Sequence, residues 1–152
     1  MVNLKKHSRH PQFNELPERE KETLNAFNHV HTPPLGLGDP NHIGQRIWYD
    51  IEGGHVTSLR IRVATYPDPI DLPSSISNLT HLREIHLKNG TVSGENLGNC
   101  SQLERIVFEE CNIPFLSKHL LDLKGLKSLT FWGFANTVPS WIGQIRTLEK
   151  FE

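Results

Sequence analysis

Leu103-Glu104-Arg105-Ile106-Val107-Phe108-Glu109-Glu110-Cys111-Asn112-Ile113 is the stretch that decides the fold. Leu103, Ile106, Phe108, Cys111 and Ile113 satisfy the pattern L-x-x-L-x-L-x-x-N/C-x-L, a short strand running into a tight turn. Working outward, the same spacing of three then two recurs at Val56/Leu59/Ile61, Leu82/Ile85/Leu87 and Leu126/Leu129/Phe131, and Leu148/Phe151 starts it again. The first members lie 26, 21, 23 and 22 residues apart. A period of this size marks a stack of supersecondary units, none of which can bury its own apolar stripe. About three units are needed before such a stack is stable, and the chain has four complete sets.

After each strand a second apolar set returns: Leu72/Ile76/Leu79, Leu97/Cys100, Leu120/Leu123 and Val138/Ile142/Ile145. These are expected to line the inside of the return segments. Ala64, Gly90 and Phe134 stand where Cys111 stands in the third unit, so the side-chain ladder that closes the turns is expected to be incomplete. Because strand side chains alternate in direction, Ile85 and Leu87 point inward and Glu84, His86 and Lys88 outward, with the same phase in every unit. The fold class is α/β: a solenoid with a parallel β-sheet on its concave face, irregular or helical returns on the convex side, and a helix plus a β-hairpin as its N-terminal cap.

Three segments follow from this reading. Residues 1–12 are polar and basic and read as a tail without regular structure. Residues 13–54 read as the cap. Leu16, Leu24 and Phe27 share one helical face between Asn14 and Phe27, with Pro17 in the first turn and Glu18 and Glu20 at the positive end of the helix dipole. The prolines and glycines from His29 to Gly44 make a loop, and alternation on both sides of Glu52-Gly53-Gly54 makes a hairpin. Residues 55–152 read as the repeats. The last strand pattern breaks off at Phe151-Glu152 without a polar cap, so the C-terminal end is expected to be exposed: it continues into a longer protein, packs on another subunit, or is a tolerated open edge.

The chain has 152 residues, 16 Lys plus Arg, 17 Asp plus Glu and a net charge of −1, which disfavours a general nucleic-acid or membrane-surface binder. No window approaches the roughly 18 apolar residues of a membrane helix, and the basic N-terminus lacks the apolar stretch of a signal peptide. Two cysteines, Cys100 and Cys111, are too few for a disulfide scaffold.

Several phrases resemble the leucine-rich repeats common in plant receptor-type proteins, over residues 47–152. They include Leu72-Pro73-Ser74-Ser75-Ile76, Asn78-Leu79-Thr80-His81-Leu82, Leu97-Gly98-Asn99-Cys100-Ser101 and Val138-Pro139-Ser140-Trp141-Ile142-Gly143. A helix followed by a hairpin containing Trp48 is similar to that family's N-terminal module. The plant extracellular cap carries paired cysteines, whereas here none precedes Cys100, which points to a cytoplasmic location. The resemblance implies recognition of a protein or peptide through the concave sheet, and no chemistry.

The outward strand positions form the candidate partner-binding face: Arg60, Arg62, Glu84, His86, Lys88, Arg105, Val107, Glu109, Thr130 and Trp132. Exposed Trp and Arg are favoured contact residues, so Trp132, Arg60, Arg62 and Arg105 lead, with Val107 as an apolar element between them. A merely solvated face would instead cancel Lys88 against Glu109 and lay Trp132 on a neighbouring strand. Cys100 and Cys111 occupy core slots and are expected buried and reduced. Trp141 belongs to the convex side, as packing or as a second contact.

No catalytic residues, metal site or cofactor are expected. His7, His10, His29 and His31 lack the spacing of a zinc site, Gly36-Leu37-Gly38 lacks the context of a dinucleotide loop, and no nucleophile and base are brought together by the repeat geometry. The sequons at Asn78, Asn89 and Asn99 read as repeat consensus. The function expected is a non-enzymatic scaffold that binds a protein or peptide, with neither nucleic acid nor membrane as partner. Its alternatives are a piece of a larger receptor or signalling protein and a histidine-based metal-binding protein.

Overall fold

The computed structural model describes residues 12–30, 45–63, 70, 72–92, 94–133 and 138–151. Its strands are β1 Gln45–Glu52, β2 His55–Val63, β3 Glu84–Lys88, β4 Arg105–Glu109, β5 Ser128–Trp132 and β6 Lys150–Phe151. They form one sheet in chain order, β1 antiparallel to β2 and every later pair parallel. The parallel register puts Leu59, Ile85, Ile106, Leu129 and Phe151 in one row and Ile61, Leu87, Phe108 and Phe131 in the next. The apolar triplets are thus stacked like on like.

The spacing of three then two has a local cause. Leu82 and Leu103 lie ahead of their strands, in turns where their N–H groups donate to Leu79 O and Cys100 O at 3.0 Å. The ladder begins one residue later, as Glu104 N–H donates to Arg83 O and Lys127 N–H to Glu104 O, both at 2.8 Å. In β2 the same spacing falls inside a strand, where alternation alone would turn Val56 and Leu59 to opposite faces. A β-bulge resolves the conflict: Asp50 pairs with Ser58 and Ile51 with Val56, leaving Thr57 as the extra residue. Both apolar side chains are consequently buried.

Each return contains one 3-10 turn, at Ser74–Asn78, Glu95–Asn99, Lys118–Asp122 and Ser140–Gln144, and each buries one aliphatic residue, Ile76, Leu97, Leu120 and Ile142. Val138 departs from the expected lining and stays exposed, because the return it precedes packs on a neighbour from one side only. Trp141 is partly buried against the core. Adjacent returns meet closely at Gly98, where a Cβ would lie 2.4 Å from His119 O. On the strand side the residues after β3, β4 and β5 are left-handed: Asn89 (φ 63°), Glu110 (φ 52°) and Gly133 (φ 64°). Where the turn ladder was expected to fail at Gly90, Asn89 one position earlier supplies the bond, its Nδ2 donating to Val63 O at 3.0 Å. Ala64 and Phe134 lie outside the described residues.

The N-terminal helix is shorter at its start than the apolar spacing implies. A 3-10 turn spans Phe13–Glu15, Leu16 is extended (ψ 149°), and α1 runs Glu18–Val30. Leu16 precedes Pro17, and the proline ring drives its predecessor out of the helical region. Pro17 O then accepts the N–H of Glu20 at 3.0 Å and of Lys21 at 3.1 Å. Phe13, Leu16, Leu24 and Phe27 all join the core, and α1 packs on the Ser74–Asn78 return. There the Thr23 hydroxyl lies 2.9 Å from Arg19 O and 3.0 Å from Ser75 O. The rest of the expected loop, 31–44, and most of the expected tail lie outside the described residues.

At the far end β6 pairs with β5 alone, and Phe151 is half exposed while touching Phe131 edge-on at 5.9 Å. No helix among the described residues is long and apolar enough to cross a membrane.

Two substitutions test this packing by urea denaturation. Phe108→Ala, at a fully buried site stacked on Phe131, is expected to cost about 3–5 kcal/mol through the cavity it leaves. Gly98→Ala is expected to cost about 1–3 kcal/mol, because the obstructing atoms are the His119 carbonyl group and the Cβ fixed to its backbone, which have nowhere to retreat. Near-neutral results at both would contradict the stacking.

Candidate functional site

The register that buries the triplets also assembles the outward face. Glu84 and Arg105 align beside Ser58 and Ser128; Arg60, His86, Val107 and Thr130 form the next row; Arg62, Lys88, Glu109 and Trp132 form the third. All ten expected residues share one side of the sheet. β1 extends it, since Trp48 pairs with Arg60 and Asp50 with Ser58. Trp48, 49% exposed, is a face residue that the reading of the repeats passed over. The signal was the alternation of β1, in which Ile47, Tyr49 and Ile51 pack on the core and Trp48 therefore faces away.

Two members of the face differ from expectation in exposure. Val107 is only 7% exposed; it is short and flanked in register by His86 and Thr130, so water reaches little of it. Glu109 is also buried. Its carboxylate accepts from His86 Nε2 at 2.7 Å and from the Lys88 ammonium, while Lys88 also lies 3.9 Å from Glu110. The Lys88 hydrogen bond holds the Glu109 carboxyl below its ordinary range; burial opposes this and His86 reinforces it. Arg105 and Glu84 approach at 3.9 Å near solvent, a pairing of small energetic weight. Arg60 and Arg62 are exposed and form no ion pair with another described residue.

The middle of the face is therefore internally neutralised, as a solvated sheet would be. Trp132 behaves otherwise. It sits beside Glu109 in register yet is 67% exposed.

Cys100 and Cys111 are free and buried, as expected. Burial pushes the Cys100 thiol up to about 12 and raises that of Cys111. Cys111 Sγ–H donates to Leu87 O at 3.2 Å and so fills the turn position that the repeat pattern assigns to it. Of the histidines considered for metal, His7, His10 and His31 lie outside the described residues, as does the His29 side chain.

Away from the sheet face, the structure gathers Glu20, His55 and His81 from three separate elements. Glu20 is 2% exposed; its Oε1 accepts from His55 Nδ1 at 2.7 Å and its Oε2 from Val56 N–H at 2.9 Å. The His55 and His81 rings stack at 3.7 Å. No sequence spacing announces this group, because its members lie 35 and 26 residues apart. Beyond its place at the positive end of the helix, Glu20 ties α1 to the start of β2.

No protein-family model matches the sequence, and no curated protein matches it. Among solved structures, the chain is similar to the leucine-rich-repeat ectodomain of the receptor kinase SOBIR1 from Arabidopsis thaliana, at 18% identity and a TM-score of 0.36, over 90% of this chain and 91% of that one. The solenoid described above stands on its own ladder, turns and returns.

Glu109 gives the face a pH signature. Its carboxyl is lowered in the fold relative to an ordinary value of 4.5, so the unfolded chain binds the proton more readily. Its contribution to stability is complete above about pH 4.5 and is lost as pH falls through the lower folded value. Glu109→Gln is expected to flatten this acid limb in denaturation curves collected from pH 7 to pH 3; an unchanged limb would show that the Lys88 and His86 contacts carry no weight.

Proposed function

We propose that the chain is a recognition module that binds a protein or peptide through the outer face of its sheet, without catalysis. The observation that carries this reading is Trp132, a large aromatic left largely in water beside a pinned ion-pair cluster on a rigid ladder. A side chain of that size exposed on an ordered strand gives a partner contact area at little ordering cost. Trp48 repeats the feature at the other edge of the face. Between them Arg60 and Arg62 offer two cations to acidic groups of the partner.

The residues expected to carry binding are Arg60, Arg62, His86, Lys88, Arg105, Thr130 and Trp132, with Glu84 and Glu109 fixing the orientation of the basic groups and Val107 serving as the low apolar floor. Residues 13–54 act as the cap of the stack, a role supported by the packing of α1 on the first return and the pairing of β1 along β2. The two free thiols fit a reducing compartment such as the cytoplasm.

A second reading, self-association through the β6 edge, is favoured by the half-exposed Phe151. Light scattering across a concentration series separates the two: a dimer lost in Phe151→Ser assigns the edge, and a monomer throughout leaves the face.

The test of the main reading is affinity capture from source lysate, followed by measurement with the captured partner. Trp132→Ala is expected to weaken binding by about 2 kcal/mol with the fold intact, and Arg62→Ala together with Arg105→Ala to weaken it further. Unchanged affinity in the combined variant would remove this face from the site.

A further inference from the structure

We propose that Glu20, His55 and His81 form a binding site for one divalent transition-metal ion of the zinc type. One donor atom from each residue lies within 4.8 Å of the other two. The three donors come from α1, from the first residue of β2 and from the turn ahead of β3, so the backbone converges there from three directions. Two imidazoles and a carboxylate suit a borderline ion and leave a fourth position for water.

The arrangement is half assembled. Glu20 is already desolvated and anchored, with Oε2 held by Val56 N–H and Oε1 directed at His55 Nδ1. An ion with ligand distances of about 2.0–2.1 Å requires its donors to stand roughly 3.3 Å apart in a tetrahedron. The His55 to Glu20 edge, at 2.7 Å, opens slightly to admit the ion. The remaining edges close by rotation of the half-buried His55 ring and the exposed His81 ring. As the ion takes Nδ1 of His55, the proton there moves to Nε2 and the hydrogen bond to Glu20 is replaced by two metal bonds. Binding opens the ring stack, since the in-plane lone pairs of two nearly parallel imidazoles reach one ion only after the rings turn; the two side chains start within reach of it.

Bound metal would clamp α1, β2 and the turn before β3 into one unit at the N-terminal end of the stack. This is a structural clamp, independent of recognition on the sheet face.

The experiment is zinc titration of the full chain by calorimetry, without a polyhistidine tag, paired with thermal denaturation. One zinc per chain and a rise in Tm with added zinc are expected, with magnesium and calcium giving neither. His81→Ala, at an exposed position, is expected to keep the fold and lose at least tenfold in zinc affinity together with the rise in Tm. His55→Gln, which retains a hydrogen-bond donor toward Glu20, is expected to do the same. His119→Ala and the pair His7→Ala with His10→Ala are expected to bind as wild type does. Absence of zinc uptake by the wild type overturns the proposal, and so does uptake that survives His81→Ala and His55→Gln but disappears with His7 and His10.

Discussion

Register is the constraint on which everything else in this molecule depends. A single unit offers three or four apolar side chains and a strand with unpaired edges, too little to offset the entropy of ordering its residues. Stacked in register, the same side chains bury one another completely from Leu59 to Leu129. A shift of β3 by one residue against its neighbours would turn Ile85 and Leu87 to water and Glu84, His86 and Lys88 inward. The core and the outer face are thus two results of one alignment. That is why Glu109 meets both His86 and Lys88, and why Trp132 stands beside Glu109 instead of on top of the core.

The parts of the fold carried by period were legible from the residues. The strand triplets, the buried returns at Ile76, Leu97 and Leu120, the core slots of Cys100 and Cys111 and the outward phase of the face all follow from spacing alone. What escaped was decided by local sterics or by contacts between distant elements. Pro17 removes Leu16 from the helix without removing it from the core. The bulge at Thr57 is a compromise between strand alternation and the repeat spacing, and neither pattern taken singly contains it. Val107 follows the outward phase yet stays dry because it is short and closed in by His86 and Thr130 on the flanking strands. Glu20 with His55 and His81 is a tertiary fact, brought about when α1 docks on the first return.

The polar groups divide by the work they do. Glu20 and Thr23 bind a helix to the sheet and its first return, where each leaves solvent for a set of backbone and histidine partners. Glu109 is equally shielded but belongs to the outer face, where its partners are side chains on the preceding strand. The first kind orders the architecture, and the second fixes the orientation of charges on the outer face.

The two thiols give this stack an internal clock. Cys111 leans on Leu87 O from the strand side, and Cys100 approaches Ile76 O at 3.9 Å from the return side. They span successive seams: Cys100 the one between the unit that contains β2 and the unit that contains β3, and Cys111 the one between the unit that contains β3 and the unit that contains β4. A chain whose units touch only their neighbours can part at one seam while the others hold. Since burial keeps both sulfurs protonated, alkylation proceeds only during such partings, and the ratio of the two labelling rates tells which of the two neighbouring seams parts more often.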